Sequence, residues 1–216
     1  MPATMMHLYA ARLLWPSGSD AYFLGSILPD CVDAHREIKD RLHFRDVPPE
    51  ERLQRLIRFG QSLDLSRDFD FGALYHFYLD YLWDNGPQKA HRKAHGEENW
   101  FVDYRKELSR AGSRTAQRMP WANGLWHRLH KPEKSLYENT MDLPENEIRA
   151  FLEFNFHWHT EQALPQSEVF TDELVDSFTK RARVAFAAFL RDFFPEAYKA
   201  RNEHFSPSVG IGPTGT

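Results

Sequence analysis

The sequence predicts an all-α fold, built as a single multi-helix domain. Three observations carry that prediction. Apolar residues recur at helical spacing through most of the chain, capping residues open these stretches, and proline or glycine closes them. No run alternates apolar and polar residues between turns as a strand does. The composition, 42% hydrophobic and 14% aromatic, supplies enough apolar surface for one sizeable core. The domain is expected over residues 1–205. The remainder, 206–216 (SPSVGIGPTGT), has the Gly/Pro/Ser/Thr composition of a flexible tail.

From the N-terminus, Thr4 can cap a helix over Met5 to Leu14, stopped by Trp15-Pro16-Ser17-Gly18. Ser19 or Asp20 opens a second helix, Ala21 to Leu28, closed by Pro29-Asp30. Cys31 to Pro49 has no clean period and reads as an irregular polar connection. Pro48-Pro49-Glu50-Glu51 starts a third helix to about Leu63, with proline and acids in the first turn. The central helix is Asp70 to Gly86, heavily apolar, ended by Asn85-Gly86-Pro87. A charged helical stretch, Gln88 to Arg110, has a break near Gly96, and Gly112-Ser113 punctuate the variable region after it. Trp121 to His130 is a short helix. Asn146 to Leu164 opens at Leu143-Pro144-Glu145, and Thr171-Asp172-Glu173 caps the last long helix, to about Phe194.

Composition excludes several functions. A net charge of −4 lacks the basic field that double-stranded nucleic acid requires. The single cysteine, Cys31, allows no internal disulfide and reads as a small buried thiol. No apolar run has the length of a transmembrane span, and the N-terminal stretch has no basic segment before its short apolar run. A cytoplasmic protein is the expectation.

The informative residues are histidines and aspartates. His76 and Asp80 stand four apart on the central helix, so they share one face. Either a divalent metal or a buried His–Asp hydrogen bond satisfies such a pair. His7 on the first helix, Asp30 after a proline and His43 in the irregular segment are of the same ligand type. Each lies on or beside an apolar element, where an unpaired polar group is costly.

These stretches, MPATMMHLYAARLL, FLGSILPD, RLHFRD and LYHFYLDYLWDNG, resemble the zinc-dependent phospholipase C family, in particular its small bacterial members, and more distantly the S1/P1-type nucleases. The resemblance covers about residues 1–86. It implies that His7, Asp30, His43, His76 and Asp80 bind the metal, zinc as one or two ions, with manganese or iron as alternatives. It implies an α-helical fold and hydrolysis of a phosphoester; because the sequence offers no signal peptide or amphipathic anchor, a small soluble phosphoester is the expected substrate rather than membrane lipid. Asp30 would act as ligand or general base. His35, five residues on, would take a substrate or supporting role, and Asp30 and His35 are thus the candidate catalytic pair. Lys39, Arg41 and Arg45 offer positive charge for a phosphate.

Three features depart from the family. No N-terminal tryptophan supplies an amine ligand. The family's histidine a few residues after the HxxxD pair is absent, with Asp84, one turn beyond Asp80, only a partial replacement, and the later His–carboxylate pair has only His157 with Glu161 as a candidate. His91 and His95, with Glu98 a turn on, are a further ligand-type pair, but Arg92 and Lys93 argue for a solvated face. The alternative to catalysis is a helical binding or scaffold module with a structural or vestigial metal site.

Overall fold

The central helix is the axis of the molecule because it is apolar on every side. In the computed structural model, which describes residues 2–32, 36–96, 100–137 and 141–205, helix α5 spans Asp68–Trp83. Every residue from Phe69 to Asp80 is buried. A helix covered all round needs neighbours on all sides. They are α1 (Thr4–Leu14), α2 (Asp20–Gly25), α4 (Arg52–Ser62) and α10 (Asp172–Phe193). The described residues are helical or irregular with no strand, so the all-α expectation holds. One apolar cluster runs through these helices from Met5 to Phe194.

The contact between α2 and α5 is the closest in the fold, and glycine makes it possible. A Cβ on Gly72 would lie 2.2 Å from the Tyr22 carbonyl oxygen, and one on Gly25 would lie 2.0 Å from that of Phe69. The two backbones therefore touch directly, which only glycine permits. Ser26, at the end of α2, is thereby set against the middle of α5.

Most predicted elements are present, with informative differences. Ala3, not Thr4, is the N-cap of α1, and Thr4 lies inside the helix. Ser19 does cap α2, accepting from the Tyr22 N–H, and Thr171 caps α10 through the Leu174 N–H. Cys31 to Pro49 is not irregular throughout: it contains the end of a 3-10 turn, Leu28–Val32, and helix α3, Arg36–Leu42. Asn85-Gly86-Pro87 does not end the central helix. Pro87 lacks an N–H and its ring crowds the carbonyl four residues back, so the backbone widens into a π turn, Asp84–Gln88, and continues into α6, Lys89–His95.

The break at Gly96 is present, with φ 74°, ahead of α7, Trp100–Arg118. Gly112 and Ser113 lie inside α7. Gly112 gives room to Ala3, whose Cβ would be 2.8 Å from an added one, and the Ser113 hydroxyl accepts from the Leu164 N–H at 3.0 Å. These two residues serve packing, not a turn. Helices α8 (Ala122–Leu129), α9 (Glu145–Glu161) and α11 (Pro195–Ala200) complete the set, Pro195 both stopping α10 and opening α11. Among the described residues no helix is long and apolar enough to cross a membrane. The expected tail, 206–216, lies outside the described residues.

Candidate metal centre

His76 and Asp80 face the same side of α5, the side that meets α1, α3 and the turn carrying Asp30. His76 is fully buried, and its Nδ1 is 2.9 Å from the Ser26 carbonyl oxygen. His43, just past the end of α3, has its Nδ1 2.9 Å from the Lys39 carbonyl oxygen. A carbonyl only accepts, so each Nδ1 carries the proton and donates. Both Nε2 atoms then present lone pairs, and they stand 3.2 Å apart.

Two carboxylates face the same point. His43 Nε2 lies 3.4 Å from Asp30 Oδ1 and 3.3 Å from Asp80 Oδ2, and His76 Nε2 lies 3.7 Å from Asp80 Oδ2. A tetrahedral zinc with bonds of about 2.0–2.1 Å has ligand-to-ligand edges of roughly 3.3 Å. His43 Nε2 thus lies at ligand-edge spacing from three other donors, and two sets of three, Asp30–His43–His76 and His7–His76–Asp80, each gather within 4.8 Å. Asp30 Oδ1 and both Asp80 oxygens are buried without a hydrogen-bond partner. A single proton would satisfy one of these contacts, while a divalent cation can satisfy a whole set of three. Imidazole nitrogens and carboxylate oxygens so grouped could hold a metal ion.

His7 marks a second point. Its Nε2 is 3.3 Å from Asp80 Oδ1, the oxygen turned away from His43. Its ring stacks on His76 with centroids 4.1 Å apart, and both of its nitrogens are buried and unpartnered. Asp80 therefore has one oxygen toward each point, the arrangement of a bridging carboxylate.

The electrostatics agree with ionised carboxylates and a neutral His76. Burial pushes the His76 pKa down to about 3, helped by His7. Burial alone would raise Asp30, but Lys39 and His43 outweigh it and hold its carboxyl well below the usual carboxylate range. Burial alone would raise Asp80, and what lowers it is positive charge at the His76 and His43 rings together with a hydrogen bond from His7, so an ionised Asp80 beside neutral rings calls for a cation in their place.

The chain turn after α3 aims the flanking cations. Phe44 takes φ 56°, a left-handed conformation that costs a non-glycine residue about 1–2 kcal/mol. Its ring is held between Phe59 and Phe77. The turn brings Arg45 back to Asp84, with Nε and an Nη at 3.2 and 3.1 Å from Oδ2, and Arg52 lies 3.6 Å from the same oxygen. Asp84 thus anchors two arginines, and Arg45 reaches within 4.0 Å of Asp80.

Of the residues singled out in the sequence, the structure brings together His7, Asp30, His43, His76 and Asp80. Lys39 joins them, its Nζ 3.3 Å from Asp30 Oδ1. Arg45 stands at the edge through Asp84. Arg41 is exposed on α3 and outside the cluster. His35 and Glu98 lie outside the described residues. His157 and Glu161 do not join: His157 is exposed on α9 and bonded to Glu153 and Glu161 as a surface pair. Cys31 is buried, and burial pushes its thiol up to about 12, so it is inert at neutral pH.

A cavity of about 150 Å³ opens beside the donors. Asp30 and Lys39 line it together with Arg105, Ser109, Gly112, Asn155, Trp158 and His159. Hollows of about 560 and 490 Å³ beside Tyr137 and beside Phe194 contain none of the donors. Arg105 and His159 are not legible as site residues in the sequence. Their signal is one of register: Arg105, Leu108, Ser109 and Gly112 share one face of α7, and Phe151, Asn155, Trp158 and His159 share one face of α9. His159 stacks on buried Trp126, and burial lowers its pKa to about 3.

Comparison of the chain with protein-family models, with curated proteins and with solved structures yields no match.

Proposed function

We propose that the protein is a metal-dependent hydrolase of phosphoesters, in keeping with the resemblance of its N-terminal part to the zinc-dependent phospholipase C family. The observation that carries this reading is the meeting of His43 and His76, Nε2 to Nε2 at 3.2 Å with each Nδ1 on a backbone carbonyl, beside the carboxylates of Asp30 and Asp80. Asp30, His43, His76 and Asp80 would hold the ion, and His7 with the second Asp80 oxygen would hold another. A divalent ion there supplies a lowered pKa for water and polarises a phosphoryl oxygen.

The protein's own residues supply the rest. Lys39 and Arg105 bring positive charge into the cavity and orient a phosphate. The ionised Asp30, which lines the cavity, would accept a hydrogen bond from the attacking water and direct it; its depressed pKa makes it a ligand first and a weak base second. Phe151 and Trp158 offer apolar surface to the ester's organic group. A cavity this small matches a compact phosphoester head and is well below the ~300 Å³ at which sites for larger ligands begin.

One observation favours a second reading, a structural ion in a binding module. The side chains of His43, Asp30 and Asp80 are at most 8% exposed, and closed sites are the structural ones. Replacement of His76 separates the two. With a catalytic ion, His76→Ala abolishes phosphodiester cleavage and lowers the melting temperature only modestly. With a structural ion, it unfolds the protein.

A further inference from the structure

A second His-rich cluster lies on α6 and α7, apart from every donor described above. His91 and His95 are one turn apart on α6, and their rings stack with centroids 3.9 Å apart. Asp103, in the first turn of α7, places Oδ2 3.7 Å from His91 Nε2 and 3.3 Å from His95 Nε2. We propose that His91, His95 and Asp103 form a divalent-metal site of the zinc type, which clasps α6 to α7 across the Gly96 break.

Three features point to a cation. The His91 side chain is 1% exposed, and neither of its nitrogens has a hydrogen-bond partner. A buried imidazole left so is costly, and a metal removes that cost. His95 has its Nδ1 3.0 Å from the His91 carbonyl oxygen, so it donates there and turns an Nε2 lone pair toward Asp103. Two nitrogens and one carboxylate oxygen then converge, the donor set of zinc sites that keep a fourth position open. Tyr104 and Phe170 wall the site on the His91 side, the apolar surround that strengthens ligation.

The charges that argue for a solvated face point elsewhere. The Arg92 guanidinium lies over the Trp100 ring at 5.5 Å, and Lys93 is exposed. His91 itself is buried. The site shares no residue with the His43–His76 centre, so it stands or falls independently of the proposed activity.

His95 and Asp103 are partly exposed, so both can be changed without opening the core. Chelator-stripped full-length protein, His95→Gln and Asp103→Asn are each titrated with zinc and the bound ions counted by mass spectrometry. Circular dichroism of the metal-free proteins checks folding. Each variant should bind one ion fewer than wild type, or bind it at least tenfold more weakly. Zinc should also slow amide exchange across α6 and α7 in wild type and fail to do so in Asp103→Asn. Wild-type zinc number and affinity in both folded variants would overturn the proposal and leave a simple His95–Asp103 ion pair.

Discussion

His43 and His76 meet nitrogen to nitrogen, their Nε2 atoms 3.2 Å apart, while each Nδ1 is spent on a backbone carbonyl. Two lone pairs at that distance repel unless something positive lies between them. On the proposed reading, truncating either ring removes a ligand as well as its ring contacts. His43→Ala should lower zinc affinity by more than the ~10–100-fold lost when a mere supporting partner is removed. Competition with a chelating dye measures this, and unchanged affinity would remove His43 from the site.

The Ser26 carbonyl that fixes His76 is itself placed by the glycine contact of α2 with α5. Gly72→Ala puts a methyl 2.2 Å from the Tyr22 carbonyl oxygen, so the helices must separate. A destabilisation of about 3 kcal/mol is expected, with weakened zinc binding as Ser26 moves off His76. Gly124→Ala is the control: nothing lies within 4 Å of the added methyl, and a helical alanine adds up to about 1 kcal/mol. Urea unfolding of both variants checks the pair.

Asp84 raises a narrower question, since it lies one turn beyond Asp80. It is turned toward Arg45 and Arg52, not toward the donors. Asp84→Asn should leave the number of bound ions unchanged and cost about 1–3 kcal/mol by weakening the support of two partly buried arginines. A loss of bound zinc would make Asp84 a ligand instead.

His159 sets a pH dependence away from the donors. Its folded pKa, about 3, lies below the ordinary 6.5 because burial disfavours the charged ring. The unfolded chain therefore binds the extra proton first as pH falls. The stability from a neutral His159 is complete above pH 6.5 and is lost between 6.5 and about 3, by ~2–4 kcal/mol. His159→Phe, which keeps the stack on Trp126, should flatten the fall in unfolding free energy between pH 6.5 and 4. Equal slopes in both proteins would show that His159 titrates normally.

Much of this arrangement is legible in the sequence, because the strongest signals are local. Ser19 and Thr171 cap helices as their side chains dictate, and His76 with Asp80 shares a face because four residues make about one turn. His7, Asp30 and His43, which the structure sets beside this pair, are legible from residue type. The remainder depends on tertiary contact. Gly112 reads as a break but serves close approach to Ala3, and Pro87 widens a helix where its residue type predicts a stop. Arg105 and His159 become wall residues only when α7 and α9 are laid together. His91 reads as solvated beside Arg92 and Lys93, but Tyr104 and Phe170 cover it.

The central claim is that the buried His–Asp cluster around His43 and His76 holds an ion that serves phosphoester hydrolysis. Chelator-stripped protein, titrated with zinc while cleavage of bis(p-nitrophenyl) phosphate is monitored, tests it most directly. The expected result is no cleavage without metal, a rate that rises with bound zinc to a plateau, and no rate at any zinc level for His76→Ala. Protein that binds no zinc, or that binds it and leaves the diester intact, would contradict the claim.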